Sequence, residues 1–123
     1  MATRQPASRA ACPPKPPLQK RGLITPEQAA ALMGVFKVLA NDTRLRLIHA
    51  LARAGELCVT DLAKAVAMTP QAVSNQLQRL VDRGILGSRR NGNQIYYRIV
   101  DLCVTSLLDQ GLCLTEDAGE RKR

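Results

Sequence analysis

Glu56-Leu57-Cys58-Val59-Thr60-Asp61-Leu62-Ala63, then Thr69-Pro70-Gln71-Ala72-Val73-Ser74-Asn75-Gln76-Leu77, then Asn91-Gly92 and Ile95-Tyr96-Tyr97-Arg98-Ile99 form one ordered series. The first segment reads as a short helix with Val59, Leu62, Ala63 and Val66 inward. Cys58-x-x-Asp61 copies the spacing of a capping box, with cysteine where serine or threonine usually stands. Cysteine is a weak cap, but a helix N-terminus favours its thiolate, so Cys58 is a candidate soft-metal ligand beside the module. Thr69 and Pro70 open a second helix in which Val73, Leu77, Leu80 and Val81 recur at helical spacing. Ile85-Leu86-Gly87-Ser88-Arg89-Arg90 reads as a strand, and Asn91-Gly92 is a strong hairpin signal. On the return strand Ile95, Tyr97 and Ile99 alternate with Gln94, Tyr96 and Arg98. A short helix, a turn, a helix with a polar outer face and a basic hairpin make a winged helix-turn-helix.

Working outward, Thr25-Pro26-Glu27-Gln28 is a complete helix start: cap, first-turn proline and capping-box glutamine. Its stripe is Leu32, Val35, Phe36 and Leu39. Asn41 caps a second helix with Leu45, Leu47, Ile48 and Leu51 on the buried side, ending before Gly55. Asp101 caps a last helix containing Leu102, Val104, Leu107, Leu108 and Leu112. The expected fold is mainly α with a small β-wing: about five helices and one hairpin. Residues 1–22 hold five of the seven prolines and five basic residues with no acid, so they read as a disordered basic arm. Residues 23–114 are the DNA-binding and dimerisation domain, and 115–123 a charged tail. The last helix is strongly apolar for a terminal helix in a domain this small. Leu32, Val104, Leu107, Leu108 and Leu112 are therefore expected at a two-fold dimer interface.

The chain has 123 residues, 18 Lys+Arg against 10 Asp+Glu, and a formal charge of +8. That balance suits a polyanion. Aromatic content is 2 %, which argues against a base-stacking reader of single strands or RNA. No stretch approaches the ~20 apolar residues of a membrane span. Met1-Ala2-Thr3-Arg4-Gln5-Pro6 is followed by no apolar run and does not resemble a signal peptide. The expected location is the cytoplasm, with reduced thiols. No acid/base pair, nucleophile triad or phosphate loop marks an enzyme.

On a helical wheel, core placement of Val73, Leu77, Leu80 and Val81 turns Gln71, Asn75, Gln78 and Arg79 outward, with Ser74 at the boundary. Gln and Asn pair bidentately with adenine, and Arg with guanine. Thr69 and Ser74 suit phosphates near the helix start. Arg89, Arg90 and Asn93 lie on the wing, placed for the backbone or the minor groove of double-stranded operator DNA.

The runs Leu39-Ala40-Asn41-Asp42-Thr43-Arg44-Leu45-Arg46-Leu47, Glu56 to Ala63, Val73 to Leu77 and Arg90-Asn91-Gly92-Asn93-Gln94-Ile95-Tyr96-Tyr97-Arg98 resemble the ArsR/SmtB family. These are bacterial winged-helix repressors that release DNA on binding metal or metalloid ions. The resemblance implies a homodimer, a palindromic operator and derepression by ligand. Thr60 stands where the family's thiol motif often has a second cysteine, and Gln76 where histidine is frequent.

The cysteines are Cys12, Cys58, Cys103 and Cys113. None forms Cys-x-x-Cys and there is one histidine, His49, which excludes a structural zinc finger. Cys103 and Cys113 lie ten residues apart, ~15 Å along a continuous helix, too far for one ion within one chain. Two such helices crossing antiparallel in a dimer would bring Cys103 of one near Cys113 of the other. Alternatively Gly111 ends the helix and swings Cys113 toward its own Cys103. Arm-plus-helix thiolate sites in the resembling family place Cys12 near Cys58, across protomers. Leu114 occupies the place of a later histidine of the family's zinc sensors, whereas Asp117 matches a later acid. Thiolates with few imidazoles select soft ions: Hg(II), As(III), Cd(II) or Pb(II) rather than Zn(II) or Ni(II), with mercury and arsenic leading. Two competing readings are a thiol-redox or persulfide sensor of the same fold and a constitutive architectural nucleic-acid-binding module.

Overall fold

The structure, a computed structural model, describes residues 14–121, with side chains as far as Asp117. A 3-10 turn, Leu18–Lys20, precedes five helices and three strands. Their order is α1 Pro26–Leu39, α2 Asp42–Ala54, β1 Glu56–Cys58, α3 Val59–Val66, α4 Pro70–Asp82, β2 Leu86–Asn91, β3 Gln94–Ile99 and α5 Cys103–Arg121. No described helix is long and apolar enough to cross a membrane.

Local chemistry sets most boundaries. Gln28 N–H donates to Thr25 Oγ1 at 3.1 Å while Thr25 N–H donates to Gln28 Oε1 at 2.9 Å, a closed capping box. Asn41 Oδ1 accepts from Arg44 N–H at 3.0 Å, and Thr69 Oγ1 from Ala72 N–H at 3.2 Å. Asp101 Oδ1 accepts from Cys103 N–H at 3.1 Å at the head of α5. α3 ends on Ala67 in the left-handed region, φ 58°, with Met68 N–H returning to Ala63 C=O at 3.0 Å. That turn joins α3 to α4.

β1 was not expected. It pairs antiparallel with β3, Glu56 opposite Arg98, Leu57 opposite Tyr97 and Cys58 opposite Tyr96, and the sheet order is β1-β3-β2. The wing turn also shifts by one residue. Asn91 pairs with Gln94, so Gly92 and Asn93 form the two-residue loop rather than Asn91 and Gly92. Gly92 has φ 67° and Asn93 does not share that sign, the arrangement of a turn that needs glycine first.

The core is centred on Leu47, Ile48, Leu51, Leu62, Val73, Leu77 and Leu80, all under 2 % exposed. Leu39, Leu86, Tyr97 and Val104 close it from α1, the wing and α5. No described polar or charged side chain is buried. Three expectations change. Leu45, read as core, is 37 % exposed. Val104, read as interface, is 3 % exposed and belongs to its own chain's core, because α5 packs against α2. Residues 115–121, read as tail, continue α5, which passes through Gly111 unbroken. A glycine inside a helix weakens it without ending it when the flanking residues favour helix.

Candidate nucleic-acid interface and thiol sites

Helix α4 presents the expected face. Gln71, Asn75, Gln78 and Arg79 are exposed, Ser74 is half-buried, and Thr69 stands at the head of the helix. Gln71 Nε2 donates to Asn75 Oδ1 at 3.3 Å, and Gln78 Nε2 to Asp82 Oδ1 at 2.8 Å. These one-turn bonds hold the amides along the helix while their other hydrogen-bonding capacity faces out.

The two wing arginines differ. Arg90 and Asn93 are exposed toward the tip. Arg89 instead forms a fork with Glu56, Nε to Oε2 and Nη2 to Oε1, both 2.8 Å, and lies 5.0 Å from the centre of the Tyr96 ring. The Arg89 hydrogen bond, ahead of its charge, holds the Glu56 carboxyl below the usual carboxylate range, and the same bond raises Arg89. Arg89 thus fastens the wing to β1, two residues from Cys58. Burial alone pushes the Tyr97 phenol upward.

Among the described residues, the three thiol positions differ in setting. Cys58 is buried, 7 % exposed, yet it stands outside the contiguous apolar core. Its backbone occupies the cap position of α3, but its side chain makes no capping hydrogen bond. The expected cysteine cap is therefore one of position only, as suits a thiol, which is a weak hydrogen-bond acceptor. Cys113 is exposed and donates to Asp117 Oδ2 at 3.3 Å. The unbroken α5 rules out the folding-back of Cys113 onto its own Cys103 at Gly111. Cys103 is disulfide-bonded, contrary to the expectation of four reduced thiols. Cys12 lies outside the described residues. Among the described residues no three His, Cys, Asp or Glu side chains sit together as a metal cluster.

An apolar groove of about 440 Å³ runs between α1, α2 and α5, lined by Phe36, Leu45, Leu107, Leu108 and Leu112 among others. Leu32, Phe36, Leu107 and Leu112 are 45, 50, 37 and 47 % exposed. His49 is exposed at its margin.

Sequence reasoning missed the side chains that tie these parts together. Arg44 donates from Nε to Gln76 Oε1 at 2.7 Å and from Nη1 to Val38 C=O at 2.9 Å. Arg83 Nη2 donates to Ala31 C=O at 3.3 Å, and Glu56 holds Arg89. Their partners lie 32, 6, 52 and 33 residues away, and only the Val38 contact falls within the range that periodicity can read.

With this geometry, relatives can be compared. A family described as bacterial regulatory protein, arsR family, matches residues 41–88. The cadmium resistance transcriptional regulatory protein CadC of Listeria innocua is 31 % identical over 87 residues, 71 % of this chain and 73 % of its own. The crystal structure of the AntR antimony-specific transcriptional repressor superposes with a TM-score of 0.77 at 65 % identity, covering 89 % of this chain and 99 % of that one. The solution structure of the homodimeric winged helix-turn-helix domain Mb0332 of Mycobacterium bovis, described as a possible ArsR-family transcriptional regulator, gives 0.68 at 32 % identity over 80 % and 93 %.

Proposed function

The chain belongs to the ArsR family of bacterial regulatory proteins, and from that premise we propose that it is a cytoplasmic homodimeric repressor whose hold on operator DNA is released by a soft metalloid or metal ion bound to cysteine thiolates. One observation carries the reading furthest: 65 % identity to an antimony-specific repressor across 99 % of that chain. It favours trivalent antimony or arsenic as inducer. Antimony was not among the four ions inferred from the thiols, though as a soft, thiophilic metalloid it follows the same rule.

Gln71, Asn75, Gln78 and Arg79 read base edges, and Thr69, Ser74, Arg90 and Asn93 meet phosphates. Arg89 contributes by holding the wing. Leu32, Leu107, Leu108 and Leu112, with Phe36, form the dimer interface. The ion is held by Cys103, Cys113 and Cys58, with Cys12 as a further donor. A Cys103 sulfur already bonded to a second sulfur has the close neighbour that a reduced two-thiolate site needs. Linkage requires DNA to weaken ion binding by the factor by which the ion weakens DNA binding.

The test is a titration of protein reduced with a phosphine, bound to a duplex it selects from a random library. Sb(III) and As(III) should release it at the lowest concentrations, ahead of Hg(II), Cd(II), Pb(II) and Zn(II). Release by Zn(II) first, or by none of these ions, overturns the reading. The disulfide at Cys103 favours one second reading, thiol-redox switching, in which a disulfide-forming oxidant releases the DNA with no ion present.

A further inference from the structure

Helix α4 reads the DNA, and α1 carries exposed Leu32, Met33 and Phe36 on the face assigned above to the partner copy. The two helices approach each other less closely than α1 approaches α2. They are joined by two guanidinium groups. At one point Arg83, the residue that ends α4, donates to the carbonyl of Ala31 in α1. At the other, Arg44 from α2 bridges the carbonyl of Val38 and the amide oxygen of Gln76.

The spacing of these points is regular. Ala31 and Val38 are seven residues apart on α1, and Gln76 and Arg83 seven apart on α4. Seven residues are about two turns, so each pair shares a helix face with its members ~10 Å apart. The pairing is crossed: the earlier residue of α1 meets the later residue of α4. The helices are therefore braced antiparallel at two points. One contact leaves a pivot, whereas two fix an angle.

The chemistry at each point supports a built contact. Val38 lies in the last turn of α1, where a carbonyl lacks an intrahelical partner and a cation suits the helix end. At the other point Gly34 makes the room. A methyl group added there would overlap Arg83 Nη2 and stand 3.1 Å from its Cζ. Nothing else in a mid-helix position calls for glycine, which is a poor helix residue.

We propose that Arg83 seated over Gly34, with Arg44–Gln76 as the second point, is a positioning brace that sets the angle of the reading helix against α1 and thereby the spacing of two reading helices on DNA. It rests on the dimeric DNA-binding reading above. Arg83 acts here through α4 and not by touching bases.

The probes are a two-half-site duplex selected by the parent protein from a random library, the same duplex with one half scrambled, and a random duplex. The variants are Gly34→Ala, which keeps every charge and favours helix, and Arg83→Lys, which keeps the charge and loses the fork. Both should melt at or near the parent temperature and bind the half-site and random duplexes as the parent does. Both should bind the two-half-site duplex about ten-fold more weakly, and the double variant no worse than either single. Parent-like binding to the two-half-site duplex by both variants overturns the brace. So does an equal loss on all three duplexes, which marks general destabilisation or a direct phosphate contact. If the parent itself does not prefer two half-sites to one, the dimeric reading fails and the brace with it, a result seen without any variant.

Discussion

Helices α4 and α5 begin alike and end differently. Each has an oxygen cap at its head and apolar residues at helical spacing. In α4 the apolar side is finished within the chain: Val73, Leu77 and Leu80 are 0 % exposed. Among the described side chains of α5 only Val104 is buried, at 3 %, while Leu107, Leu112 and Leu114 are 37, 47 and 64 % exposed. Helix α1 resembles α5, with Leu39 alone in the core. The reading half thus closes upon itself. The half bearing Cys103 and Cys113 leaves a continuous apolar surface of the kind that marks an interaction site. A regulator divided this way can keep its DNA-reading fold while its assembly responds to conditions.

The sharpest way to break this contrast is to truncate one leucine on each side. Leu77→Ala should cost about 2–5 kcal/mol and unfold a large share of the molecules, since the cavity lies at the centre of the core. Leu112→Ala should change monomer stability by about 0.5 kcal/mol or less. Chemical denaturation at two protein concentrations measures both, and equal losses would erase the distinction between the halves. Next in size, the Leu107→Glu/Leu112→Glu pair should sediment as a folded monomer at micromolar concentration and lose most operator affinity. A dimer persisting in that variant would place the interface elsewhere.

A smaller effect on the free protein separates sensing from reading. Cys58→Ser/Cys103→Ser in phosphine buffer should bind the selected duplex within about two-fold of the parent, because neither residue lies on the reading face. It should need at least about ten-fold more Sb(III) or As(III) for release. Release at the parent's concentration would remove these thiols from the site.

The smallest expected change is at the wing root. Glu56 titrates below its usual range, so its pairing contributes fully above the ordinary carboxylate pKa and is lost as pH falls from there through the lowered one. Glu56→Gln should be slightly less stable than the parent at neutral pH, at the scale of an exposed ion pair, and the gap should close as pH falls through that lowered pKa. A gap independent of pH would mean that the contact works through packing.

Much of what the chain declares locally was read correctly, the exceptions being the wing turn, which sits one residue later than read, and Cys58, whose side chain makes no capping bond. The caps at Thr25, Asn41, Thr69 and Asp101 depend on three or fewer residues of spacing, and each is made. The outward set on α4 follows from one wheel and one core assignment. The other failures have a common cause in distance. Three residues, Glu56–Cys58, are too short to announce a strand, and only the pairing with β3 makes them one. Val104 and Leu107 belong to one apolar stripe, and no periodicity says which is covered by its own chain. Arg89 resembles any wing arginine until Glu56, 33 residues back, is found beside it. Spacing along α5 excludes a pairing of Cys103 with Cys113 inside one helix but supplies no partner for either.

One feature of β3 has a practical side. The chain has no tryptophan, and both of its tyrosines, Tyr96 and Tyr97, are neighbours on that strand. Tyr97 is buried against the helices, while Tyr96 stands opposite Cys58 and beneath Arg89. Tyrosine absorbance and fluorescence therefore originate at a single place, the root of the wing. An unlabelled sample carries its own optical probe, with one ring facing the core and the other facing the strand of Cys58. Quenching or recovery of that signal on adding an ion or a duplex reports on the wing alone, without the averaging over many chromophores that complicates such measurements in most proteins.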